Sequence, residues 1–214
     1  TLDPLNADII DVGCGTGHIT RALTNMGAHV IGIDPGKRQL ERARAEETVG
    51  SEVYIEGVAE DLPFDDQSKD IILFFNSFHH VPQNKFSEAI GETSRVLRSG
   101  GKLFFAEPIA DGPQFELSRL INDETEIRAL AYQSILDLPK NGFQEILELI
   151  YITEIRYESF ESYRFNSTSI NPARKKIFEE HKTEIHNLFE KYSIKNQDYH
   201  VFQNPIRVNL FERE

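Results

Sequence analysis

The stretch Ile9-Ile10-Asp11-Val12-Gly13-Cys14-Gly15-Thr16-Gly17-His18-Ile19-Thr20 decides the reading of this chain. A short apolar run gives way to three alternating glycines and then to the start of an amphipathic helix. An apolar run of this length, bounded by turn residues, predicts a buried parallel strand. Glycines at 13, 15 and 17 allow a sharp turn and a close approach by a ligand, because no Cβ stands in the way. The helix behind them points free N–H groups at whatever lies over the strand end. Strand, glycine loop and helix together predict a site for a nucleotide-like ligand.

The spacing narrows the ligand. The dinucleotide fingerprint is G-x-G-x-x-G. Gly13 and Gly15 fit it, but its last position is His18. The pattern present is G-x-G-x-G, with Asp11 two residues before the first glycine. A carboxylate there would put two anions in one cradle if the ligand were a pyrophosphate. It suits a ligand with an ammonium group. S-adenosylmethionine (SAM) has an α-amino group, a sulfonium and no phosphate. A glycine-rich turn without a ligand is the plainer alternative.

Outward from the loop, Ile19, Leu23 and Met26 recur at helical spacing before Gly27. His29 to Asp34 reads as a second buried strand ending in an acid, and 36–47 as a helix. Strands follow at 53–57, 70–75 and 102–106, with a helical stripe from Phe86 to Leu97 that Gly100-Gly101 stops. Strands alternating with helices predict an α/β fold with a mostly parallel sheet. Ligands of such sheets bind outside the carboxyl ends of the strands. The informative positions are therefore 13–18, 34–35, 59–62, 76–80 and 107–108. From Asp111 the rhythm changes. A helix is expected over 114–138, a strand within 146–157, a helix behind Asn171-Pro172 and a last strand at 206–211. The whole reads as one domain, 1–214, with a core of about 6–110, 143–158 and 205–212. Segments 111–140 and 159–200 are longer than a sheet connection needs and are candidate lids.

Bulk properties bound the function. The 214 residues suffice for one sizeable core. A formal net charge of −12 argues against a polyanionic nucleic-acid partner. No run is long and apolar enough to span a membrane. Cys14 is the only cysteine, so a reducing, cytoplasmic setting is expected. Oligomeric state is not legible.

At the strand exits, Asp34 follows Gly13 by about 20 residues, where a carboxylate can accept ribose hydroxyls. Asp34-Pro35 ends the second strand. Ala59-Glu60-Asp61-Leu62-Pro63-Phe64 follows the third, and an acid there can accept from an adenine amino group while Leu62 packs on the ring. These pieces, with Asn76-Ser77-Phe78-His79-His80-Val81 and Arg95-Val96-Leu97-Arg98-Ser99-Gly100-Gly101-Lys102-Leu103, resemble the class I SAM-dependent methyltransferases. The small-molecule branch that includes the quinone-biosynthesis methylases is most similar. The likeness covers roughly residues 7–108. It implies a Rossmann-like seven-stranded sheet with an antiparallel last strand, here 205–212, helices on both faces and helical lid insertions. It also implies that Asp11 orients the methionine part, Asp34 holds the ribose and Glu60-Asp61 meet the adenine. Gly13, Cys14, Gly15, Gly17, Pro35, Leu62 and Asn76 complete the expected cofactor contacts. Such enzymes usually carry helices before the first strand; in this sequence the strand begins almost at once.

Methyl transfer from a sulfonium is an in-line displacement, so the protein mainly orients and desolvates. His80, and after it His79, are the candidates for a base, since imidazole titrates near neutrality. No metal is expected: adjacency should keep the His79 and His80 rings off one centre, and no H-x-x-x-H or C-x-x-C spacing occurs. The expectation is a SAM-dependent methyltransferase acting on a small molecule and releasing S-adenosylhomocysteine. The competing readings are an NAD(P)-dependent oxidoreductase on a similar fold and a SAM-binding protein without turnover.

Overall fold

The apolar run at the start of the chain becomes β1 (Asp8–Val12), and the other buried runs join it in one sheet. A computed structural model describes residues 3–214. The elements in order are β1, α1 (His18–Asn25), β2 (His29–Asp34), α2 (Lys37–Ala45), β3 (Val53–Glu56), β4 (Lys69–Phe75), α3 (Phe86–Val96) and β5 (Leu97–Pro108). Then come α4 (Gly112–Arg119), α5 (Thr125–Leu136), β6 (Phe143–Tyr157), α6 (Phe160–Ile170), α7 (Arg174–Glu180), α8 (Lys182–Tyr192), β7 (Ile194–Lys195) and β8 (His200–Arg213). The sheet order is β3-β2-β1-β4-β5-β8-β6, with β7 paired antiparallel to β8 off that path. The ladders among β1 to β5 are parallel. The expected seven strands are present, and the two-residue β7 is an addition.

The residues form two compact units. The first holds the chain up to Glu107, 129–149 and 207–214; the second holds 108–128 and 150–206. Residues 129–140, expected in a lid, thus belong with the first unit. In that unit Ile9, Val30, Ile71 and Leu73 pack with Ile19 and Leu23 of α1. Alternation along the strands sends the next residues to the opposite face. There Phe74 stacks on Phe105, and Phe78 meets both rings and Phe86. The second unit is built around Leu117, Phe160, Tyr163, Phe178, Ile185, Phe189 and Phe202.

Several boundaries differ from the sequence reading for local reasons. Gly100-Gly101 does not separate helix from strand; the helix ends at Val96 and β5 already begins at Leu97, with Gly100 left-handed (φ 75°) inside it. The β4–β5 register shifts between Lys69 and Ile71 to absorb the extra residues. The helix expected over 114–138 is two helices, because Asp123 turns back and accepts from the Thr125 N–H and hydroxyl. Helix α6 was not foreseen; Ser159 and Ser162 cap it reciprocally. Asn171 ends α6, and its Oδ1 accepts from Ala173 N–H, so α7 starts after Ala173 and not at Pro172. Among the described residues no helix is long and apolar enough to cross a membrane.

Candidate cofactor site

Register levels the strand exits. Val12 pairs with Ile33 on one side and Phe74 on the other, and Asp34 pairs with Glu56. The β1, β2, β3 and β4 exits therefore open at one edge of the sheet, and the predicted residues of those exits gather there.

The glycine loop has the shape its sequence requires. Gly13, Gly15 and Gly17 all have left-handed φ, 74°, 56° and 77°. A Cβ at Gly13 would lie 2.5 Å from Ser77 Cβ, and one at Gly17 would lie 2.5 Å from the Tyr54 ring. A Cβ at Gly15 would meet no protein atom within 4 Å. Two glycines thus admit neighbouring protein, and the middle one faces open space. Arg21 braces the loop, donating to the Thr16 carbonyl (3.0 Å) and the Tyr54 hydroxyl (3.3 Å).

Asp34 binds the loop directly. Its Oδ2 accepts from Gly15 N–H at 2.9 Å and its Oδ1 from Gly36 N–H at 2.7 Å. Each oxygen keeps a second lone pair. Pro35 beside it is exposed. Asp11 is buried beneath the loop and accepts from Thr20 Oγ1 at 2.7 Å. Burial pushes its carboxyl up to about 6, against the lowering effect of the Thr20 bonds. Such a group gains from a nearby cation. Burial also raises the Cys14 thiol, helped by the charges of Asp11 and Asp34. Both effects disfavour the thiolate, the reactive form of a cysteine.

At the third exit Glu60 is half-buried, Asp61 exposed and Leu62 buried. Leu62 belongs to the buried hydrophobic core. The turn is tied to α3: Glu92 accepts from Leu62 N–H, and Arg95 donates to the Leu62 and Phe64 carbonyls. The Arg95 guanidinium holds the Glu92 carboxyl below its ordinary range. This tie is not read from sequence for Glu92 or Arg95, because their partners lie some thirty positions upstream.

At the fourth exit Asn76 takes a left-handed φ of 54° and is exposed. His79 is buried, with Nδ1 hydrogen-bonded to Glu107 Oε2; His80 is exposed. Their ring centroids lie 4.0 Å apart, since a short 3-10 turn brings neighbouring side chains together. One nitrogen of each lies within 4.8 Å of the other. Adjacency therefore does not keep the rings apart, which corrects that spacing argument. The expectation of a metal-free reaction rests on the donor chemistry alone. Glu107 was missed. The same rule that marked Asp34, an acid at a strand exit, applies to it.

Comparison with known proteins decides the family of this segment. Residues 10–105 match a family described as methyltransferase domain. Over these residues the chain is similar to methyltransferase domains. An uncharacterized methyltransferase of Mycobacterium bovis is 38% identical over 95 residues, 44% of this chain and 37% of that protein. The malonyl-[acyl-carrier protein] O-methyltransferase of Pectobacterium atrosepticum is 35% identical over 111 residues, 52% of this chain and 42% of that protein. The chain thus spans less than half the length of these relatives. The fold extends beyond the matched segment. The YcgJ protein of Bacillus subtilis superposes with TM-score 0.62 at 23% identity, covering 99% of this chain and 95% of that one. A SAM-dependent methyltransferase of Methanosarcina mazei gives TM-score 0.58 at 16% identity over 99% and 94%. The class I methyltransferase fold is shown, and the relatives named here do not point to the quinone-biosynthesis branch in particular.

Proposed function

We propose that this chain is a SAM-dependent methyltransferase acting on a small-molecule acceptor. The observation that carries the reading is the grip of Asp34 on the Gly15 amide. In a pyrophosphate cradle that N–H would point at phosphate oxygens. Here a carboxylate already accepts it, and Asp11 places a second acid beneath the loop. A pyrophosphate would meet both; a sulfonium with an ammonium is attracted by both. The donor also fits by shape, since only open space faces Gly15. The NAD(P) alternative is the weaker one on these grounds.

When bound, SAM supplies a methyl group already activated by positive sulfur. The residues of this chain bind, orient and exclude water. Asp34 accepts the ribose hydroxyls on its remaining lone pairs, and Asp11 attracts the ammonium. Glu60 and Asp61 accept from the adenine amino group. Backbone of Gly13, Cys14, Gly15 and Gly17 lines the donor, with Pro35, Leu62 and Asn76 shaping its walls. His80, exposed at the β4 exit, takes the acceptor's proton where the acceptor carries one, and His79 stands behind it.

The Pectobacterium relative is named for O-methylation, which supports an oxygen acceptor. A hydroxyl must lose a proton; a carboxylate need not. His80→Ala is expected to slow transfer to a hydroxyl acceptor at least about tenfold with SAM affinity little changed, and to spare a carboxylate acceptor. The net charge of −12 and the single cysteine support a cytoplasmic protein without a nucleic-acid partner. The deciding experiment is calorimetry with SAM, S-adenosylhomocysteine and NAD, followed by labelled SAM against an acceptor panel. Micromolar NAD binding with none for the other two would overturn the proposal.

A further inference from the structure

We propose that Glu107 is a positioning residue: one carboxylate that fixes the 77–79 turn against the glycine loop and holds His79 in its Nδ1–H tautomer. The inference rests on the methyltransferase reading above. Glu107 lies near the end of β5. Its Oε1 accepts from Ser77 N–H and Phe78 N–H, both at 2.9 Å, and its Oε2 faces His79 Nδ1. A carboxylate offers only acceptors in that place, so the facing ring nitrogen carries the hydrogen. Nε2 is then the basic nitrogen of the ring.

The tie continues to the cofactor loop. Ser77 Oγ donates to the Val12 carbonyl at 2.6 Å. Ser77 Cβ occupies the space that any side chain at Gly13 would need. On the other side the His79 ring stands against His80, the exposed imidazole of the pair. One side chain on β5 therefore links the loop that cradles the donor to the two histidines on the acceptor side. The Glu107 side chain is only 12% exposed. Packing alone would not select it, since an apolar residue fills such a place at lower desolvation cost.

Glu107→Gln and Glu107→Ala separate its duties. The amide of the Gln variant keeps an oxygen for Ser77 and Phe78 but loses the anion opposite His79. Long-range 1H–15N NMR on the labelled full chain, with His79→Phe to assign the ring, reads the tautomer. The wild type should show a protonated Nδ1 and an unprotonated Nε2, and the Gln variant should depart from that pattern. Calorimetry with S-adenosylhomocysteine should show a loss of no more than about threefold for Gln and about tenfold or more for Ala. A wild-type His79 protonated on Nε2 alone would overturn the proposal. So would a Gln variant with wild-type His79 signals, a test that stands even if the Ala variant does not fold. Failure of the wild type to bind S-adenosylhomocysteine would instead sink the methyltransferase reading, with the tautomer still measurable.

Discussion

The two compact units bury different things. In the first, polar side chains go inside around the strand exits and the first helix: Asp11, Thr20, Ser77 and His79 are all buried. Each has a named partner across sequence, such as Thr20 for Asp11 and Glu107 for His79. In the second, rings fill the interior. Phe189 alone meets Tyr157, Phe160, Tyr163, His200 and Phe202. Of its buried hydroxyls, Thr168 Oγ1 donates locally to the Arg164 carbonyl one helical turn back, while the Tyr163 hydroxyl reaches the Leu117 carbonyl at 3.4 Å. Buried polarity with distant partners is costly and specific, whereas apolar packing tolerates many sequences. The contrast accords with the site proposed at the first unit's strand exits, and the second unit's interior is chiefly aromatic packing.

The most disruptive way to test this contrast is Phe189→Ala. Removing a fully buried ring should cost about 3–5 kcal/mol of stability. Denaturant unfolding measures it, and S-adenosylhomocysteine affinity of the folded protein should stay within about twofold. A large affinity loss would erase the division of labour.

Asp11 offers the next effect, through pH. Its carboxyl sits at about 6 when folded and at the ordinary value of 3.8 when unfolded. The folded chain therefore binds more protons between those values, and ligand-free stability should fall as pH rises from 4 to 6. The full effect is on the order of 3 kcal/mol. Affinity for a ligand with an ammonium should move the other way, rising as Asp11 ionises. Melting curves and calorimetry at pH 5 and 7 would show both trends, and Asp11→Asn should flatten both.

Asp34→Ala comes third. Charge-assisted hydrogen bonds to ribose are lost, so affinity for S-adenosylhomocysteine should drop at least about tenfold. The Gly15 amide also loses its acceptor, so hydrogen exchange at residue 15 should quicken. Unchanged affinity would remove Asp34 from the site. The smallest expected effect is that of EDTA: transfer rates should be unchanged, and a clear loss would show that the neighbouring imidazoles have metal chemistry.

Sequence legibility followed the same divide. The buried strands and glycine loop of the first unit are local signals: an apolar run, then residues that permit left-handed backbone. Asp34 was legible because its partner, the loop, had been recognised first. Glu107, Glu92 and Arg95 were not, since their roles depend on atoms brought near only by sheet pairing. Beyond the first five strands, 114–138 keeps an apolar periodicity across a break that the Asp123 turn imposes. There the aromatic residues Phe115 and Tyr163 are buried, while Phe165 is 70% exposed. Helical spacing alone cannot tell those outcomes apart, because it reports a face and not what covers it.

The pairing of Val12 with both Ile33 and Phe74 turns the sheet into a gauge. Each strand advances about 3.3 Å per residue and reverses its side chains at every step. One residue inserted between Gly32 and Asp34 would carry the carboxylate past Gly15 and aim it at the opposite face. The same insertion in the exposed 46–51 turn would be taken up by solvent-facing chain. Natural length variation should therefore collect in such turns, and the distance from Gly13 to Asp34 should be held nearly constant.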